Sequence, residues 1–232
     1  MLGTLSINQK DLSDFGIKVT DSGIFTSSEA DIESVSAAGR SGDLHISNHR
    51  FKNIAITYPS IIYEGFEENF TAFRSWIMAQ GELRIEDSFR PEYFRTGRVS
   101  GAITPNYKHR GAGTFEITLD CAPQLWLKSG EEGIECTDGQ IINNPTYQGS
   151  EPIIRAYGMG TLTVGTTVIK VNKAGLNYID IDCHTHQAYE GDVFRNENIT
   201  VNKWGKLAIG DNTVTLSGIK KVEVIPRWFE II

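Results

Sequence analysis

Apolar and polar residues alternate at period two along most of this chain, with glycines as punctuation. The pattern predicts strands over 54–58 (IAITY), 114–119 (TFEITL) and 161–164 (TLTV), and again over 168–171, 178–182, 198–201, 214–216 and 222–225. Turn signals separate them: Gly-Arg-Ser-Gly at 39–42, Val-Gly-Thr at 164–166, Lys-Ala-Gly at 173–175, Gly-Asp-Asn at 210–212 and Ser-Gly at 217–218. One segment breaks the alternation. Residues 64–80, EGFEENFTAFRSWIMAQ, place Phe66, Phe70, Phe73 and Ile77 on one helical stripe. Glutamates at its start suit the positive end of a helix dipole. Gly81 follows as the expected C-terminal cap. An aromatic stripe of this kind is core, and the helix is expected to close one face of a sheet.

At 232 residues the chain has room for two small domains. The boundary is placed in Lys128-Ser129-Gly130-Glu131-Glu132-Gly133, small, charged and glycine-bearing, giving domains over 1–130 and 131–232. Beyond it no helical period occurs, and about seven short strands with frequent turns read as a β-sandwich. The fold class is therefore mainly β: an N-terminal α+β domain followed by a sandwich.

Charge and cysteine content narrow the function. The net charge of −7, with basic residues scattered singly, gives no clustered basic surface for nucleic acid. No run approaches the roughly 18 apolar residues of a membrane span, and the N-terminus lacks the basic and apolar regions of a secretory signal. Three cysteines without a CxxC pair argue for reduced thiols in a cytosolic protein.

Each candidate for chemistry has a simpler competing role. Asp180, Asp182, His184 and His186 fall in one row if 180–186 is a strand. Same-face neighbours stand about 6.6–6.8 Å apart, whereas a zinc ligand must approach within about 2.2 Å. Two adjacent side chains can converge on one ion; four in line cannot. A solvated outer strand face over buried Ile179 and Ile181 is the simpler expectation. A Cys183–His nucleophile pair fails because sequence neighbours point to opposite faces. Glu86 with Asp87 or Glu92 offers paired carboxylates for hydrolysis. Arginines beside each acid, however, lower a carboxyl pKa that a general acid needs raised. Trp204, beside a glycine turn, is a candidate sugar platform, against a plain packing role. No nucleophile elbow, zinc-protease, P-loop or dinucleotide motif is present. No catalytic, metal or cofactor site is expected.

Several segments in order resemble one family, the distal tail (Dit) proteins of siphophages and prophages of Gram-positive bacteria. They are Leu5-Ser6-Ile7-Asn8 with Asp14-Phe15-Gly16-Ile17, Ser36-Ala37-Ala38-Gly39-Arg40-Ser41-Gly42-Asp43-Leu44, and the helix at 64–80 with the strand after it. Cys121-Ala122-Pro123-Gln124-Leu125-Trp126-Leu127, Asn144-Pro145-Thr146 with Ser150-Glu151-Pro152, and Pro226-Arg227-Trp228-Phe229 complete the series. The resemblance covers nearly the whole chain. It implies an N-terminal domain that forms a six-fold ring and a C-terminal galectin-like β-sandwich. It also implies a place at the virion tail tip as baseplate hub, assembled in the host cytoplasm. The partners implied are the tail tube protein, the tail-associated lysin or fibre protein, and a receptor-binding protein. A carbohydrate-recognition module and a tail hydrolase are the alternatives.

Ring formation directs attention to 84–95, RIEDSFRPEYFR. Protein interfaces favour arginine and aromatics over lysine. Arg84, Glu86, Asp87, Phe89, Arg90, Tyr93 and Arg95 are accordingly the expected partner-contact residues, with a self-paired hairpin as the alternative.

Overall fold

The structure is a computed structural model and describes residues 2–21, 26–107, 111–172 and 177–232. The turn expected at 173–175 lies outside the described residues. Strand accounts for 52% of the residues and helix for 11%, so the chain is mainly β as the alternation predicts. It divides into two compact units, Met1–Leu125 with Ile231–Ile232, and Trp126–Glu230.

The strands up to the division are β1 (Leu5–Ile7), β2 (Lys10–Asp11), β3 (Ile17–Val19), β4 (Ala30–Val35), β5 (Leu44–Phe51), β6 (Ile54–Ile62), β7 (Leu83–Asp87), β8 (Tyr93–Val99), β9 (Asn106–Tyr107) and β10 (Gly113–Cys121), with helix α1 (Phe66–Met78) between β6 and β7. Their main sheet runs β2-β1-β7-β8-β10-β6-β3. Its spine is the antiparallel pair β6 and β10, in register from Ile54 opposite Cys121 to Ile62 opposite Gly113. Alternate β6 residues Ile54, Ile56, Tyr58, Ser60 and Ile62 point inward.

Helix α1 covers this inward face. Phe66, Phe70, Phe73 and Ile77 are all buried, as their spacing requires. Phe70 and Phe73 meet Phe115 of β10 at ring distances of 5.0 and 5.7 Å. Phe66 crosses directly over Gly113, where a Cβ would come within 2.4 Å of its ring. The helix starts at left-handed Gly65 and carries Glu67 and Glu68 in its first turn. It does not end on Gly81. Ala79 closes it in right-handed geometry, with its N–H on the Trp76 carbonyl at 3.2 Å. The Gln80 side-chain amide donates to the same carbonyl, so no left-handed glycine is needed.

Strands β4 and β5 form a separate two-stranded sheet, an arm exposed along nearly its whole length. Left-handed Gly39 and Gly42 turn the chain at its end.

The remaining strands are β11 (Gln124–Leu127), β12 (Ile134–Cys136), β13 (Ile141–Asn144), β14 (Ile153–Tyr157), β15 (Gly160–Val164), β16 (Thr167–Val171), β17 (Ile179–Asp182), β18 (Gln187–Glu190), β19 (Val193–Phe194), β20 (Ile199–Lys203), β21 (Gly210–Ser217), β22 (Lys221–Ile225) and β23 (Phe229–Ile231). Two antiparallel sheets, β12-β22-β14-β17-β18-β19 and β13-β21-β15-β16-β20, enclose one core. Ile154, Ile179, Ile181 and Val224 enter it from the first, and Leu162, Val164, Ile169 and Val214 from the second.

Within 128–133, where the boundary is expected, Gly130 is buried and Lys128 half-buried, and the other four residues are exposed. Lys128–Glu131 is a 3-10 turn inside the second unit. Gly130 is buried, and a Cβ there would lie 2.5 Å from the Trp228 nitrogen. The Arg227 N–H donates to the Gly130 carbonyl at 2.8 Å. The glycine permits close backbone approach there.

Phe73→Ala should lower unfolding free energy by about 3–5 kcal/mol in urea titration, the cost of a large core cavity. Met78→Ala, at an exposed position of the same helix, should stay within about 0.5 kcal/mol. Equal effects would refute the one-sided packing of the helix.

Candidate interaction surfaces

The 84–95 segment is a hairpin in which Arg84, Glu86 and Asp87 are engaged within their own unit. Strands β7 and β8 pair Leu83 with Gly97 and Ile85 with Arg95. Arg84 reaches Glu86 at 2.7 Å and lies 3.6 Å from the centre of the Phe94 ring. Asp87 shapes the turn: one carboxylate oxygen accepts the N–H groups of Phe89 and Arg90, at 2.9 and 3.0 Å. Its other oxygen accepts the Tyr58 hydroxyl at 2.9 Å. Phe89 packs on the core and lies against Gly3, where a Cβ would be 2.6 Å from its ring. Arg90 stands 6.0 Å from the Tyr93 ring centre.

Arg95 corrects the sequence expectation. It is 2% exposed and has no surface to offer a partner. Burial lowers its pKa, while Tyr58, Cys121 and Asp87 favour its charge. The same burial, with the Asp87 carboxylate, raises the Tyr58 hydroxyl well above its usual range. Burial pushes the Cys121 thiol up to about 12. Glu86 and Asp87 hold the hairpin and its turn.

The 180–186 row also differs from its prediction. Strand β17 ends at Asp182, and 183–186 form a turn, so the histidines leave the line. Asp180 and Asp182 are each 5% exposed rather than solvated. Arg155 grips Asp180 through two bonds of 2.7 and 3.0 Å. Arg227 grips Asp182 through two of 2.9 and 3.3 Å. Burial raises the Asp182 pKa, but the His184 and Thr185 N–H groups and the Arg227 guanidinium outweigh it and hold the carboxyl below its usual value. Among the described residues no three His, Cys, Asp or Glu gather as a metal set. Cys183 is buried beside Thr167, its thiol pushed up to about 11 by burial. One face of Trp204 is stacked by His186 at 4.8 Å, and the ring packs against the sandwich core.

The arm is the surface that sequence reading missed. Val35 and Leu44 stand opposite each other, as do Glu33 and Ile46, so all four side chains share one face. Val35, Leu44 and Ile46 are 37%, 40% and 50% exposed. Matched charges flank the Gly39-Arg40-Ser41-Gly42 turn and signal the pairing: Asp31 meets Arg50 at 2.6 Å and Glu29 meets Lys52 at 3.1 Å.

Tyr58→Phe should cost about 1.5–3 kcal/mol, the range for a hydrogen bond to a charged group, read as a lowered urea midpoint. An unchanged midpoint would show that the Asp87 contact contributes nothing. The depressed Asp182 pKa sets the sign of an acid dependence. Its stabilisation is complete above the unfolded carboxyl value, about 3.9, and is lost as pH falls through the lower folded value. Stability measured from about pH 6 to about pH 2 should therefore fall less steeply in Asp182→Asn than in the wild type. Parallel profiles would remove the Arg227 clamp as a source of stability.

No family model and no curated protein matches the chain. Among solved structures, the fold is similar to that of the SPP1 Dit (gp 19.1) protein, described as a paradigm of the hub adsorption apparatus in phages infecting Gram-positive bacteria. The TM-score is 0.76 at 11% identity, over 100% of both chains. At that identity what is shared is the fold, and it is shared from end to end.

Proposed function

We propose that this chain is a structural component of a phage tail tip: a Dit-type hub, without catalytic activity, that assembles as a homohexameric ring. The ring joins the tail tube protein on one side to the tail-associated lysin or fibre protein on the other and offers a mount for a receptor-binding protein. The observation that carries this reading is the end-to-end likeness in fold to a phage hub protein, covering both units.

The side chains fit a structural role. Glu86 and Asp87 are bound into their own hairpin and turn. The three cysteines are buried, and their thiols are raised by burial. Thiols held so far from the thiolate are poor nucleophiles. A ring of identical subunits needs two different patches on each copy, and the arm supplies an exposed apolar face.

Size-exclusion chromatography with light scattering should give six times the monomer mass, and negative-stain images should show rings. Mixing with purified tail tube protein should yield a larger complex. A monomer at high concentration that also leaves the tube protein unbound would overturn the reading.

A further inference from the structure

We infer that the apolar end of the arm inserts into a groove on the first unit of a second copy of this chain. This inference rests on the ring reading and supplies its contact. The groove, about 540 Å³, lies where α1 ends beside β8 and β10. Met78, Val99 and Ala122 give it an apolar lining over buried Ile77, and Arg98 and Asp120 stand among its polar groups. Met78 is 62% exposed there, an apolar side chain with no cover.

The arm needs such a site. A two-stranded hairpin alone is at best marginally stable in water, and β5 is exposed at every position. Val35, Leu44 and Ile46 form an apolar patch at the turn end of one face. They are side chains of a size the groove can hold.

Geometry selects a second copy as the occupant. Asn53 lines the groove and lies two residues beyond the end of β5. Leu44 is at the other end of that strand, about 23 Å away at the rise of an extended chain. An arm leaving from the groove's own edge cannot return its far end to that groove without refolding. The same arm on another copy can. Two different patches set that far apart suit a heterologous contact, which closes into a ring when its rotation closes.

Charge agrees. Glu33 shares the arm face with Val35, Leu44 and Ile46. Arg98 offers a 74% exposed guanidinium at the groove, 3.2 Å from Asp120. Glu33 of the incoming arm meets Arg98 and sets the register of insertion.

The test uses the full chain carrying Leu44→Cys and Met78→Cys together. The native thiols are buried and stay out of mild oxidation. A non-reducing gel should show a ladder of covalent multimers up to the hexamer. Either single variant should give no rung above a dimer. A missing ladder with the wild-type multimer mass intact overturns this contact and leaves the hub reading standing. A monomer that binds no tube protein overturns both. Should the cysteine variants fold poorly, charge exchange gives a second route. Glu33→Arg and Arg98→Glu should each weaken assembly roughly tenfold, and the double variant should regain it. A double variant as weak as the singles, with normal melting, overturns the insertion.

Discussion

Burying the Arg95 guanidinium constrains the first unit more than any other single feature. A charge taken out of water costs several kcal/mol unless partners surround it. Here the Asp87 carboxylate is the charge that favours it, and Asp87 is bonded to Tyr58 across a row of adjacent strands. Asp87 ends β7, Arg95 is on β8, Cys121 ends β10 and Tyr58 is on β6. Those strands are consecutive in the sheet. A slip of one residue in any of them would turn its member to the other face. The polar row therefore ties down the register of the sheet on which α1 packs its phenylalanines.

That constraint also decides what the 84–95 hairpin is able to do. Its arginine and aromatic content has the composition of a contact surface. Its geometry is that of a self-satisfied turn: Arg84 on Glu86, Asp87 on two backbone N–H groups and Tyr58, Phe89 on Gly3. Composition cannot distinguish an arginine aimed at a partner from one folded into the core. The difference lies in which strands flank it. Exposed apolar side chains share one face of the arm instead, and among the described residues its two strands pair with no third strand.

Features whose cause is local were legible in the sequence. The stripe Phe66, Phe70, Phe73, Ile77 has one physical meaning at helical spacing, and all four are buried. Alternation located the strands of both units for the same reason. The errors arose where a residue's role depends on distant chain. Gly130 lies in the small, glycine-bearing stretch that marks the expected boundary, but its role is close packing against Trp228, almost 100 positions away. Asp180 and Asp182 looked like a wet strand face because Arg155 and Arg227, which cover them, come from β14 and the segment after β22. Gly81 looked like a helix cap, but Gln80 already meets the open carbonyl of Trp76. The arm was hidden because its strands carry mixed polar and apolar residues on both faces, with no stripe to follow.

The two units resolve their charges and apolar surface in different ways, which argues for different work. In the sandwich, the acids of β17 are each closed by a two-bond arginine and the apolar residues of both sheets meet in one core. In the first unit, helix and sheet form an equally dry core, yet the chain also builds two strands that no core requires. Folding alone does not favour such an arm: ordering each of its residues costs about 1–2 kcal/mol of backbone entropy, and little apolar area is buried in return. An element of that kind is stable in use when a neighbour covers it. The proposed insertion into a second copy would supply the cover that a single chain does not give the arm.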